Sequence, residues 1–297
     1  MRTRCWDVCF PAFVPELAET AHRYYRTHFE FVRRLLEYNG CPIRFYVPEV
    51  TGRSDRTRFD VWLDNAHVIF DVSDYQHPIG PDLAGAYDAV FKFHFKASDQ
   101  QAANVFPFSP ISFYDWTTYA RLKEEIRYSA RGLVLNNQTP HTQNYARRVF
   151  VRQLLAEALG ERADLSVSDQ LTFWRKINGA LVSVCVPGAR IDILDRGQLQ
   201  YMAFGAATIS PRLSIDLPYG EQLQPGVHYL ECRPDWSDLL QVIAFAEANP
   251  GECLRIGRNA QALFERTLSA KAVFDWMQLC LERVSRRTAN PVTCECA

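Results

Sequence analysis

Apolar residues recur at helical spacing in some stretches of the chain and in short β-rich runs between them. From Leu17 to Asn39, Ala21, Tyr24, Tyr25, Phe29, Phe31, Val32, Leu35 and Leu36 follow a three-to-four residue rhythm that ends at Asn39-Gly40. That spacing predicts an amphipathic helix with a glycine stop. Strands are predicted at 4–10, 43–47, 60–63, 67–71 and 87–95. The segment 104–120 carries two prolines and many aromatics with little periodicity, and reads as a packed interdomain linker. A second series follows, with strands at 132–137, 181–186, 207–210 and 228–232. Its helices are predicted at 143–159, 197–204, 237–248, 252–268 and 269–284.

Strand and helix in alternation, with polar loops at the strand ends, is the α/β pattern. The expected architecture is two Rossmann-like domains facing a cleft, over residues 1–115 and 116–270, with a C-terminal helix and tail at 271–297. Ligands of open α/β sheets bind beyond the carboxyl ends of the strands, so those loops are where chemistry is expected.

Composition narrows the classes. The 297 residues carry 33 Lys and Arg against 34 Asp and Glu, a net charge of −1. This balance argues against broad electrostatic affinity for nucleic acid or anionic membrane. No apolar run reaches the length of a membrane span, and the polar, Pro-interrupted start does not read as a secretory leader. A cytoplasmic protein is expected. Nine cysteines are an odd count with no CxxC spacing, which fits reduced thiols rather than a disulfide or zinc framework. The basic residues are 28 Arg and 5 Lys, and an Arg fork suits phosphate and carboxylate.

The most informative stretch is Arg190–Ser210. Within it Leu199-Gln-Tyr-Met-Ala-Phe-Gly-Ala-Ala-Thr-Ile-Ser210 resembles the donor-site segment of two-Rossmann-domain (GT-B) glycosyltransferases. There a strand-end loop runs into a short helix, a glycine and a strand. That family often carries two carboxylates eight positions apart, the second holding the nucleotide ribose. The matching places here are Asp192 and Gln200. Asp shortens the first side chain and an amide replaces the second acid, a departure from the retaining subgroup. An amide still accepts and donates hydrogen bonds to vicinal hydroxyls. Pro225-Gly-Val-His-Tyr229 is similar to the strand after this helix in capsule-associated and protein O-glucosyltransferases. The resemblance covers about residues 130–285. It implies a nucleoside-diphosphate sugar as co-substrate with no further cofactor, and a last helix that crosses back to the first domain.

Arg147 and Arg148 begin the helix after the strand at 132–137, where free amides and a guanidinium suit a diphosphate. With Arg190 and Arg196 they are candidates to neutralise the leaving group, and Asn136 and Asn137 are candidate donors on the same loop. An exposed basic helix face accounts for the two arginines equally well. No Asp-x-Asp triplet occurs, so no metal site is expected. Asp71, Asp74 and His77 cluster after a strand. Asp74, then His77, is the candidate base for removing an acceptor proton, although Asp and Ser also simply build turns. Lys92, His94 and Lys96 alternate and so are expected on one strand face, either lining an acceptor site or meeting solvent. The reading is a metal-independent glycosyltransferase acting on a glycan, lipid, protein, small molecule or modified nucleobase. A sugar-nucleotide epimerase or phosphorylase on the same frame, or a non-catalytic binding protein, is the alternative.

Overall fold

The structure, a computed structural model, describes residues 5–12, 23–47, 57–73, 78–100, 102–108, 115–139, 146–188 and 192–289. The chain divides into two compact units, Met1–Ser109 with Ala270–Ala297, and Pro110–Ser269.

The first unit contains β1 (Val8–Pro11), α1 (Arg23–Tyr38), β2 (Ile43–Tyr46), β3 (Arg58–Leu63), β4 (Ala66–Asp71), α2 (Pro81–Gly85), β5 (Ala89–Lys92) and β6 (Val105–Pro107). They form a six-stranded sheet in the order β2-β1-β3-β4-β5-β6. β1 lies parallel to β2, and β4, β5 and β6 are parallel to one another, but β3 is antiparallel to both of its neighbours. The cause is local. Leu63 pairs with Ala66 across the two-residue turn Asp64-Asn65, and Asp64 takes φ 52°, a left-handed conformation that Asp tolerates better than most residues. Asp64 also accepts the amide of Asp7 on its Oδ1 at 2.8 Å. The strand-helix-strand alternation expected for this half is therefore interrupted by a hairpin.

An aromatic core fills the space under α1. Phe10 meets Phe29 at 4.7 Å, and Phe70, Phe91, Phe93 and Phe108 pack ring on ring. The last helix, Ala270–Ala289, joins this unit. Phe274 packs on Trp6 at 4.7 Å, and Trp276 donates its Nε1–H to the carbonyl of Pro107 at 2.8 Å. Burial of each such ring is worth roughly 1.5–3 kcal/mol. The division between the units at Ser109/Pro110 falls inside the run 104–120 read as an interdomain linker, but that run is not structureless. Val105–Pro107 is a buried edge strand paired with β5, and a helix begins at Trp116. Apolar alternation is invisible over three residues, so the prolines dominated that reading.

The second unit contains α3 (Trp116–Glu125), β7 (Leu133–Leu135), α4 (Ala146–Leu159), β8 (Ala163–Asp164), α5 (Gln170–Arg175), β9 (Ala180–Val184), α6 (Arg196–Ala203), β10 (Thr208–Ser210), β11 (Leu230–Glu231), α7 (Leu239–Ala248) and α8 (Pro250–Thr267). Its five strands run in the order β11-β10-β9-β7-β8 and all pairings are parallel. The central strand β9 is buried at every residue, as a parallel strand covered on both faces must be. Val134, Val182, Val184 and Ile209 meet Ile243 and Ile256 of the covering helices in one core.

The α6 terminus fixes how that helix leaves the site. Gly205, at φ 73°, donates to Met202 O at 2.9 Å, and Ala206 donates to Tyr201 O at 3.0 Å. These two bonds make a Schellman stop. A Cβ on Gly257 of α8 would lie 1.9 Å from the carbonyl oxygen of Gly205, so the two segments approach to a distance that only glycine permits.

Candidate functional site

The carboxyl ends of β7 and β9 are extended by side chains rather than by more strand. Gln138 accepts the amide of Val186 on Oε1 at 2.6 Å and donates Nε2–H to Val186 O at 3.0 Å. This side-chain amide imitates a further rung of the ladder. Asn136 donates to Val184 O at 2.9 Å, and Asn137 donates to Ser166 O at 2.8 Å while accepting from Tyr201 Oη at 3.1 Å. Both predicted donors of the loop are thus buried and tied into the protein. They shape the loop ends.

Three arginines on α4 reach across to the same edge. Arg147 donates to Gly188 O at 3.1 Å, Arg148 to Val186 O at 3.2 Å, and Arg152 to Asn136 O at 3.1 Å. Arg148 also pairs with Asp195 Oδ2 at 2.8 Å, with side chains only 11% and 12% exposed. Asp195 in turn caps α6, accepting Gly197 N–H on Oδ1 at 2.8 Å. One carboxylate therefore meets the positive end of α6 and the guanidinium of α4 together. The fork of Arg148 is engaged by Val186 O and Asp195.

The remaining donor-side residues differ in exposure. Arg196 is exposed at the start of α6, and Asp192 is half-buried, its carbonyl accepting Ser214 N–H at 2.8 Å. Arg190 lies outside the described residues. Gln200, matched by the resemblance to a ribose-holding acid, is 3% exposed, and its Oε1 accepts the indole N–H of Trp174 at 3.1 Å. It is enclosed because α6 is covered all round, Gln198 to Ala203 being buried on every side of the helix. Sequence reasoning missed Asp195, Gln138 and Trp174. Asp195 had a usable signal, a carboxylate two residues before Gly197 at a helix start, whereas nothing local marked Gln138.

In the first unit, Asp71 is buried at the end of β4. It takes Arg58 Nε–H at 2.9 Å and Ser73 N–H at 3.1 Å, with Lys92 Nζ 3.5 Å away. Lys92 is 0% exposed. Burial lowers its pKa below the ordinary lysine value, and the Asp71 carboxylate opposes that shift. The expected single face of Lys92, His94 and Lys96 is corrected. β5 ends at Lys92, and His94 is buried at φ 46°, so the two-residue alternation stops before it reaches Lys96, which is half-buried. Asp74 and His77 lie outside the described residues.

Among the described residues no group of three or more His, Cys, Asp or Glu is placed to hold a metal ion, and no helix is long and apolar enough to cross a membrane.

The second unit is an all-parallel α/β unit with strand-end loops tied by arginines from the next helix, and ligands of such open sheets bind beyond the carboxyl ends of the strands. Residues 210–295 match the family model of glycosyl transferase family 90. That match includes Pro225–Tyr229, on which part of the resemblance rests, and leaves Arg147 to Gln200 outside it. A stretch of 69 residues is 35% identical to Uncharacterized protein 035R of Invertebrate iridescent virus 3, covering 23% of this chain and 6% of that protein. Among solved structures, sucrose-phosphate synthase from Thermosynechococcus elongatus aligns over 67% of this chain and 58% of its own, at 16% identity and TM-score 0.41. Anabaena Alr3699/HepE in complex with UDP and glucose aligns over 91% and 81%, at 10% identity and TM-score 0.49.

Proposed function

We propose that the protein moves a sugar from a nucleoside-diphosphate sugar to an acceptor hydroxyl. The observation that carries this is the edge where Arg147, the 186–188 loop and the capped start of α6 meet, tied together by Arg148 and Asp195. The family match over residues 210–295 supports the same chemistry. In this reading the acceptor oxygen attacks the anomeric carbon as the bond from that carbon to the diphosphate oxygen breaks. Negative charge grows on the departing diphosphate, and Arg147, Arg190 and Arg196 neutralise it without a metal ion. Arg148 acts through Asp195 by holding the loop. Asp192 orients the donor. The acceptor proton passes to Asp74 or His77, since Asp71 already serves Arg58 and Lys92.

Thermal melts of the full chain with UDP, GDP, ADP and dTDP sugars test the reading. A ligand at a hundred times its Kd adds about 2.7 kcal/mol of stability. One of the nucleotides should raise the melting temperature, and Arg147→Ala and Arg196→Ala should abolish the rise while their ligand-free melts match wild type. If no nucleotide or nucleotide sugar shifts the melt, the donor site is wrong. Asp74→Asn should keep the shift and lose transfer, and full transfer in that variant would remove Asp74 as base.

A further inference from the structure

The first unit carries an ordered aromatic surface that the donor chemistry does not use. Trp62 on β3 sits directly opposite His67 on β4. Their rings lie 4.0 Å apart and within 3° of parallel. His67 Nε2 is 2.8 Å from Asp60 Oδ2, and Tyr46 donates its hydroxyl to Asp60 Oδ1 at 3.0 Å. Tyr87 also meets the His67 ring, at 4.7 Å between centroids and a 54° tilt. One indole face is thus fixed by a chain of four side chains. Trp62 nevertheless remains 40% exposed. With His67 covering the inner face, that exposure belongs to the outer face and the ring edge.

The strand register extends the surface. Arg44, Cys9, Trp62 and His67 follow one another across β2, β1, β3 and β4, a row about 14 Å long at the usual strand spacing. Arg44 is held by Asp7 at 2.7 Å and is largely exposed. Around the indole, therefore, stand carboxylates that accept hydrogen bonds and a guanidinium that donates them. Asp7 and Asp60 outnumber Arg44, so a polyphosphate or nucleic acid is disfavoured. A neutral ligand with one flat C–H face and hydroxyls at its rim matches both features, because hydroxyls donate and accept and C–H faces stack on electron-rich rings.

We propose that this row is a glycan-binding surface, with a pyranose seated on the outer face of Trp62 and its hydroxyls on Asp60, Asp7 and Arg44. Ordering the ring in advance reduces the entropy lost on binding. That the glycan is the acceptor of sugar transfer rests on the reading above, whereas binding itself does not.

Native-gel affinity electrophoresis of the full chain in dextran, laminarin, amylopectin, xyloglucan and galactomannan tests the surface, with heparin as the anionic comparison. At least one neutral polysaccharide should retard the wild type, and Trp62→Ala should weaken that retardation at least tenfold. His67→Ala keeps the indole and removes its support, so a smaller weakening, about threefold, is expected and guards against misfolding of the first variant. Nucleotide thermal shifts should be the same in all three proteins. The surface is refuted if no neutral polysaccharide retards the wild type, if Trp62→Ala is retarded as strongly, or if heparin alone acts. Retardation without any nucleotide shift would leave the glycan surface standing and remove the donor reading.

Discussion

Arg148 and Asp195 stand 47 residues apart in sequence, and the guanidinium meets the carboxylate at 2.8 Å while that carboxylate caps α6. One ion pair therefore sets the position of the β9 loop and the start of α6 at the same time.

Removing one partner of so enclosed a pair strands the other. Arg148→Ala is expected to lower unfolding free energy by about 3 kcal/mol, read from urea denaturation. Asp195→Asn retains a good cap and should cost less. Arg148→Lys should fall between the two, because an ammonium does not span Asp195 and Val186 O as a fork does. Wild-type stability in Arg148→Ala would show that the pair holds nothing.

Gln200→Glu restores the acid of the glycosyltransferase motif and so separates motif from structure. With the side chain enclosed against Trp174, a carboxylate there should cost on the order of 3 kcal/mol and bring no gain in nucleotide affinity. A rise in affinity at unchanged stability would mean that residue 200 meets the donor after all.

Gly257→Ala tests the crossing of α6 and α8. Alanine is the better helix former by about 1 kcal/mol, but its Cβ falls 1.9 Å from Gly205 O. Net destabilisation of about 1–3 kcal/mol is expected, seen as a lower urea midpoint with an unchanged slope. A gain in stability would contradict the packing.

His228 sets a sign for pH. Its Nδ1 accepts Gln224 N–H at 3.0 Å, so the neutral ring fits and the protonated ring does not. Burial lowers its pKa, nearby Arg266 lowers it further, and Glu221 opposes both. The unfolded chain therefore binds this proton at higher pH than the folded chain does. Stability from this group is complete above the unfolded histidine pKa and falls as pH drops through the folded one. Asn mimics the Nδ1 acceptor without titrating. Denaturation curves for wild type and His228→Asn should thus diverge below about pH 6.5, with wild type losing more, and parallel curves would refute the assignment.

Much of the second unit was legible because its signals are local. The stop at Gly205, the strand after it and the helices from 239 onward follow from periodicity and punctuation. What escaped depends on partners distant in sequence. Gln200 reads as a polar site residue until Trp174, 26 positions earlier, takes its oxygen. Arg147 and Arg148 look alike in the sequence, yet Arg147 reaches the Gly188 carbonyl and Arg148 the Asp195 carboxylate. The β3–β4 hairpin was missed for another reason. Asp64-Asn65 lacks the glycine that usually marks such a turn, so the two flanking strands were expected while their antiparallel pairing was not read.

Trp276 reaches Pro107 across 169 residues, so the first unit is assembled from two segments with the whole second unit between them in sequence. On the ribosome, the earlier of these segments must wait, with Trp6, Phe106 and the Pro107 carbonyl uncovered, until Ala270–Ala289 has been synthesised. The second unit has all of its segments available earlier. Chains truncated after Ser269 and released from the ribosome should therefore carry a protease-resistant second unit and a first unit still in need of a chaperone.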